Sequence, residues 1–291
     1  MTLHQDPETL VRAGEAARAI RTILVHVEPA DDAQPRLETA VHLARRLDAT
    51  LVGVGAEMMQ ALGVGDPLGV LGSNWMVELQ ALAQDNLRRA EAQFRDKAAC
   101  VKSEWLALQA YPTGVVAQLA RGADLIVAGG APPAGADNTR CVQTAELVVQ
   151  AGRPVLVAPQ SGGELHGKAV VVAWKDTREA RRAVADALPF LQMAQDVVVQ
   201  AVCDNDHFGD AEVQTFAIVE HLKRHGVAAR GKATIAASDR TAVELNITAD
   251  AIDADLIVAG GYGHSRLGEW VFGGVTRSLL RAPERFLLLS H

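Results

Sequence analysis

Residues 260–277 read GGYGHSRLGEWVFGGVTR. Two residues separate Gly260 from Gly263, nine separate Gly263 from Gly273, and Gly274 follows directly. A glycine carries no Cβ, so backbone N–H groups at such positions can approach an anion without obstruction. Gly260 closes the apolar run Leu256-Ile257-Val258-Ala259, which reads as a strand. Val275 opens a helical run to Arg281, which puts Gly273 and Gly274 at a helix N-terminus. Unpaired N–H groups and the helix dipole favour negative charge there. The chemistry these positions suit is phosphate binding, with a di- or triphosphate wrapped between two donor sites. Ser265 and Thr276 can add hydroxyl donors, and His264, Arg266 or Arg277 can add charge. The plain alternative is that the glycines only make tight turns.

A repeat inside the chain weighs against that alternative. ADLIVAGG occurs at 123–130 and again at 254–261, an offset of 131 that runs without gaps to the end of the chain. An identity of this kind marks a duplicated supersecondary unit. At the same offset Gly263 falls on Pro132, Gly273 on Val142 and Gly274 on Gln143. A turn that the scaffold required would need its glycines in both copies, so those of the second half read as additions for a ligand.

The elements around the motif repeat as well. Short apolar runs alternate with helices of ten or more residues. The first half offers Ile23–Val27, helix Leu37–Leu47, Leu51–Val54, a long helix from Val77 to about Ala98, Trp105–Leu108 and helix Gly114–Ala120 ahead of the repeated strand. The second offers Val170–Trp174, helix Arg178–Leu191, Val197–Val199, helix Ala211–His225, Ala233–Ile235 and helix Ala242–Ile252. Continuous apolar strands alternating with helices are the mark of a parallel sheet covered on both faces. Each half then holds five strands, and Pro159–Gly167 reads as the linker. The expected domains are 1–160, with a degenerate loop, and 168–291, with the G-x2-G-x9-G-G loop. Residues 58–74, rich in glycine, are an extra segment of the first half, either an apolar flap or a surface loop.

Composition narrows the classes of function. The net charge is -7, with no basic block, which argues against a nucleic-acid surface. Three scattered cysteines suit a reducing compartment. The first twenty residues lack the apolar core of a signal peptide, and no apolar run reaches the ~18 residues of a membrane helix. The expectation is a soluble cytoplasmic protein with no membrane contact.

On these residues the chain resembles the universal stress protein family, whose nucleotide-binding members carry G-x2-G-x9-G followed by Ser or Thr. Here those positions are Gly260, Gly263, Gly273 and, in the hydroxyl's place, Gly274. The segment Ala173-Trp174-Lys175-Asp176-Thr177 is similar to the family's first strand and its turn. The resemblance implies two Rossmann-like domains, each a five-stranded parallel sheet flanked by helices, of the adenine nucleotide alpha-hydrolase type. It implies pairing through the last strands, so that the halves imitate a homodimer within one chain. It further implies ATP or a related adenine nucleotide, with Mg, held by Ala173, Trp174, Lys175, Thr177, the backbone at Val202, the loop residues above and Val275 beside Thr276. Lys175 stands where a carboxylate would meet the adenosine, and as a point charge it could instead reach the phosphates. The first half matches the fold but not the motif.

Other signals carry less. His221 and His225 share a helix face, and Cys203, Asp204, Asp206 and His207 form a polar loop. Neither has the spacing of a zinc site. Asn246-Ile247-Thr248 is a glycosylation sequon by letter only. Asp124 and Asp255 are expected to bond locally to backbone. Trp174 and Trp270 are expected to pack first and to stack on a ligand second. There is no Walker lysine and no nucleophile elbow, so the chain is not read as an enzyme. Three functions compete: a nucleotide-binding stress module acting on an unknown protein partner, a nucleotide-free scaffold for protein contacts, and a slow ATPase or adenylyl-transfer relative.

Overall fold

The computed structural model describes residues 20–28, 34–58, 73–132, 138–261 and 274–291. In the first half the order is β1 (Thr22–His26), α1 (Gln34–Leu47), β2 (Thr50–Ala56), α2 (Ser73–Lys97), β3 (Ser103–Leu108), α3 (Pro112–Leu119), β4 (Leu125–Ala128), α4 (Thr144–Gln150) and β5 (Val155–Val157). The second half runs β6 (Ala169–Ala173), α5 (Arg178–Leu191), β7 (Asp196–Cys203), α6 (Phe208–Arg224), β8 (Ala229–Ile235), α7 (Thr241–Ala251), β9 (Leu256–Gly260), α8 (Gly274–Arg281) and β10 (Phe286–Ser290).

The ten strands form one sheet in the order β3-β2-β1-β4-β5-β10-β9-β6-β7-β8. Within each half every pairing is parallel; β5 and β10 pair antiparallel, Leu156 opposite Leu288. The pairing through the last strands that the resemblance implies is found, and it joins the two five-stranded halves into one mixed sheet. β5 and β10 are buried along their whole length, and either one left as an edge would expose an apolar strand with unpaired main-chain groups.

Alternating residues supply the two faces of the sheet. Ile23 and Val25 on β1, with Val170 and Val172 on β6, face Leu37, Phe94, Phe190 and Leu222 of α1, α2, α5 and α6. Leu24 and Val171 face the other way, toward Val116, Leu147, Leu245 and Leu280 of α3, α4, α7 and α8. Both hydrophobic layers therefore run through both halves. β8 begins at Ala229, ahead of its apolar residues, because its polar start Arg230–Lys232 lies at an exposed edge.

Asp124 and Asp255 do bond backbone, but not locally. Asp124 accepts from the N–H groups of Arg21 and Thr22, and Asp255 from those of His166 and Gly167. Each aspartate, just ahead of β4 or β9, thus ties down the segment that leads into β1 or β6. The linker turns at Pro159–Gly162, where Gly162 has φ 66° and a Cβ would fall 2.8 Å from Pro35 Cβ, so only glycine fits. Residues 59–72 of the extra segment lie outside the described residues.

Candidate functional site at the carboxyl ends of the strands

In an open α/β sheet, ligands collect beyond the carboxyl ends of the strands. In the second half those ends belong to β6, β7 and β9. After β6 the chain passes Trp174, Lys175 and Asp176 to Thr177, whose Oγ1 accepts the Ala180 N–H at 3.3 Å and caps α5. Lys175 and Asp176 are exposed, and Asp176 pairs with Arg181 at 3.2 Å. Ala173 is half-buried at the strand end. Trp174 is 5% exposed within the core, and its Nε1 has no hydrogen-bond partner among the described residues. It packs, as expected first of it. Val202, paired with Thr234, is half-buried next to the end of β7.

Gly260 has a packing reason of its own. A Cβ there would lie 2.6 Å from the Ala180 nitrogen and 2.8 Å from the Glu179 carbonyl carbon, so the first turn of α5 rests on the end of β9. Gly274 is the opposite case. It opens α8, is exposed, and a Cβ would meet nothing within 4 Å among the described residues. Val275 is half-buried, and Thr276 sits with Leu279 and Leu280 on the buried face of α8, unlike the free hydroxyl donor suggested by its type. Gly263, His264, Ser265, Arg266, Trp270 and Gly273 lie outside the described residues.

The first half presents a cavity of about 330 Å³ at the carboxyl ends of β1, β4 and β5. Glu28 and Arg36 lie within it, closed at one side by Arg281 and Pro283 of the second half. Arg36 Nη2 donates to Glu28 Oε1 at 2.5 Å and Arg36 Nε to the His26 carbonyl at 3.1 Å. Burial pushes the Glu28 carboxyl up, but the Arg36 charge and the hydrogen bonds outweigh it, and its pKa lies below the ordinary range. Burial, aided by Arg36, lowers His26 to about 4, so the imidazole is neutral at pH 7. Cys141 Sγ donates to Glu28 Oε2 at 3.2 Å. A carboxylate held this acidic is a weak base, so the contact orients the thiol and does not activate it.

Three donors among the described residues of the loop are engaged. Thr113 Oγ1 takes the Gln143 N–H, the Leu280 carbonyl takes the Ala131 N–H, and the Thr144 hydroxyl donates to the Gly129 carbonyl.

Sequence reasoning missed this cluster. Ile23 pairs with Leu125 and Val170 with Leu256, so β1 matches β6 at an offset of 147 while β4 matches β9 at 131. At 147, Glu28 falls on Lys175 and His26 on Ala173: the two halves carry opposite charges at one position of the fold. The change of offset hides the match. It comes from about twenty extra residues between β2 and β3 of the first half, where 146 drops to 126.

Elsewhere, His207 Nδ1 lies 2.5 Å from Asp204 Oδ1, and this hydrogen bond raises the histidine and lowers the aspartate. No group of three possible metal ligands occurs among the described residues, where the His221 and His225 rings meet tilted by 60° with centroids 4.7 Å apart. No helix there is long and apolar enough to cross a membrane.

No family model and no curated protein matches the sequence. Solved structures do. A universal stress protein from Archaeoglobus fulgidus DSM 4304 is 13% identical with a TM-score of 0.65, over 92% of this chain and 97% of that one. A functionally unknown protein from Pseudomonas aeruginosa PAO1 is 18% identical at 0.57, over 95% and 94%. A candidate universal stress protein from P. aeruginosa UCBPP-PA14 is 19% identical at 0.57, over 94% of each chain. The chain thus has the universal stress protein fold, with two five-stranded halves joined in a single polypeptide.

Proposed function

We propose that this chain is a cytoplasmic universal stress protein of tandem type, with repeated units at 1–160 and 168–291. In this reading the second unit binds ATP or a related adenine nucleotide, with Mg, and occupancy biases association with a protein partner; there is no reaction. The observation that carries the reading is the contrast between the two helices that open at corresponding loops. At α4 the neighbouring donors are engaged by Thr113 and Leu280, whereas α8 opens on an exposed Gly274 where a Cβ would meet nothing within 4 Å among the described residues. A helix N-terminus suits a phosphate. The donor set fits the nucleotide in kind: N–H groups at Gly274 and Val275, the exposed Lys175 as a point charge, and main chain at Val202 for a base edge. Gly260, Gly263, Ser265 and Gly273 would complete the cradle, with His264 and Arg266 as added charge. The nucleotide would supply the phosphate charge that Mg shares.

A ligand specific to the native state raises stability by mass action. Thermal unfolding with ATP, ADP and AMP, with and without Mg, tests the reading. The expected result is an upward shift that Gly263→Pro abolishes. No shift with any nucleotide favours the scaffold reading, which draws support from the packing roles of Gly260, Trp174 and Thr276. Phosphate release above background, lost in the same variant, would point to an ATPase.

A further inference from the structure

Away from the strand ends just described, a cavity of about 390 Å³ opens where the linker between the halves passes along α1. His42, Arg45 and Arg46 line it from α1, and Glu164, His166 and Lys168 from the linker. In a chain of net charge -7 this concentration of cations is a local reversal of sign. Most arginines and lysines of the described residues sit against a carboxylate, such as Arg95 on Glu91 or Arg230 on Asp196. Arg45 and Lys168 make no ion pair among the described residues.

The carboxylates nearby are spoken for or at the rim. Asp255 accepts the N–H groups of His166 and Gly167, and its charge faces Arg46. Glu164 is half exposed and lies 3.4 Å from His42 Nδ1. Arg46 is committed to the Leu165 carbonyl.

The frame that holds these groups is fixed. Thr39 Oγ1 donates to the Gly163 carbonyl at 3.0 Å, Arg46 clamps Leu165, and Asp255 clamps residues 166 and 167. The Lys168 carbonyl accepts the Gln195 N–H at 2.7 Å. Cations on a preset frame pay little ordering entropy when an anion arrives.

We propose that this cavity binds a phosphate group, free or as the monoester of a small polar molecule, between Arg45 of the first half and Lys168 at the entry to the second. The volume admits a small ester body, and six of the eight lining residues carry polar or charged side chains. Binding would add a bridge from α1 to the start of the second half beside the Thr39 and Arg46 contacts already there.

Histidine ring signals of the full-length protein test this, with His42 and His166 assigned from His42→Asn and His166→Asn. Sodium phosphate, pyrophosphate and glycerol 3-phosphate are titrated against sodium chloride at matched ionic strength. Both signals should move saturably with phosphate and not with chloride. Arg45→Ala and Lys168→Ala should each raise the midpoint about fivefold, the upper range for an exposed charge pair. Both residues are exposed, and circular dichroism checks that the variants fold. Gly263→Pro should leave the titration unchanged, which separates this site from the proposed nucleotide loop. Tighter binding of the ester than of phosphate identifies an organic ligand; equal binding identifies the inorganic ion. Equal movement in chloride, or midpoints unchanged in both alanine variants, overturns the proposal.

Discussion

Single residues show why residue type alone misleads at this site. Gly260 and Gly274 belong to one glycine pattern, yet α5 presses on the first, while among the described residues nothing lies within 4 Å of a Cβ at the second. Gly260→Ala should therefore destabilise the fold by about 2 kcal/mol, the cost of a forced overlap in a packed region. Gly274→Ala should change stability by less than about 0.5 kcal/mol, within the range for open surface positions. Urea unfolding of both variants measures the difference, and equal effects would contradict the packing role given to Gly260. His26 supplies a second test. Its folded pKa of about 4 lies below the ordinary 6.5, so the unfolded chain takes up the proton first. Its contribution is complete above pH 6.5 and is lost as pH falls toward 4, by about 3 kcal/mol in full. Glu28, also lowered, acts in the same direction further into acid. Stability measured from pH 7.5 to 4.5 should fall less steeply in His26→Gln than in the parent; parallel curves would show that His26 is not the group. His26 and Glu28 were both readable as letters in the sequence, but nothing local said that they share a cavity with Arg281 from the other half.

At the scale of elements, the alternation of strands and helices was legible because hydrophobic period is a local property. Every apolar run named from the sequence became a strand, and each helix expected there is present. The ends moved outward at α1, which starts at Gln34, and at α6, which starts at Phe208 without a side-chain cap. Thr177 caps α5, and that same turn rests on Gly260, so the cap also positions the edge of the candidate site. Thr177→Ala should cost about 1 kcal/mol in urea unfolding, and Thr177→Asn should restore most of it, since both side chains can accept the Ala180 N–H. Failure of asparagine to rescue would remove the cap from the account.

Over the whole molecule, the hydrophobic layers on both faces run across the junction of β5 and β10. Shared cores couple the halves, so unfolding should follow one transition: circular dichroism and tryptophan fluorescence coincide, and the calorimetric and van't Hoff enthalpies agree. Of the four tryptophans, Trp105 kept alone reports on the first half and Trp174 kept alone on the second, and two resolved transitions would show that the junction couples weakly. The sequence by itself determined the class of the elements, their order and their duplication, because these depend on periodicities and identities within a few dozen residues. The tertiary structure alone decided the register in which β5 meets β10, that Glu28 and Lys175 occupy one position with opposite charge, and that α5 lies on Gly260. Those outcomes depend on strand register and on contacts between distant segments. An insertion between β2 and β3 shifts the numbering of one half against the other, but main-chain pairing restores the alignment in space.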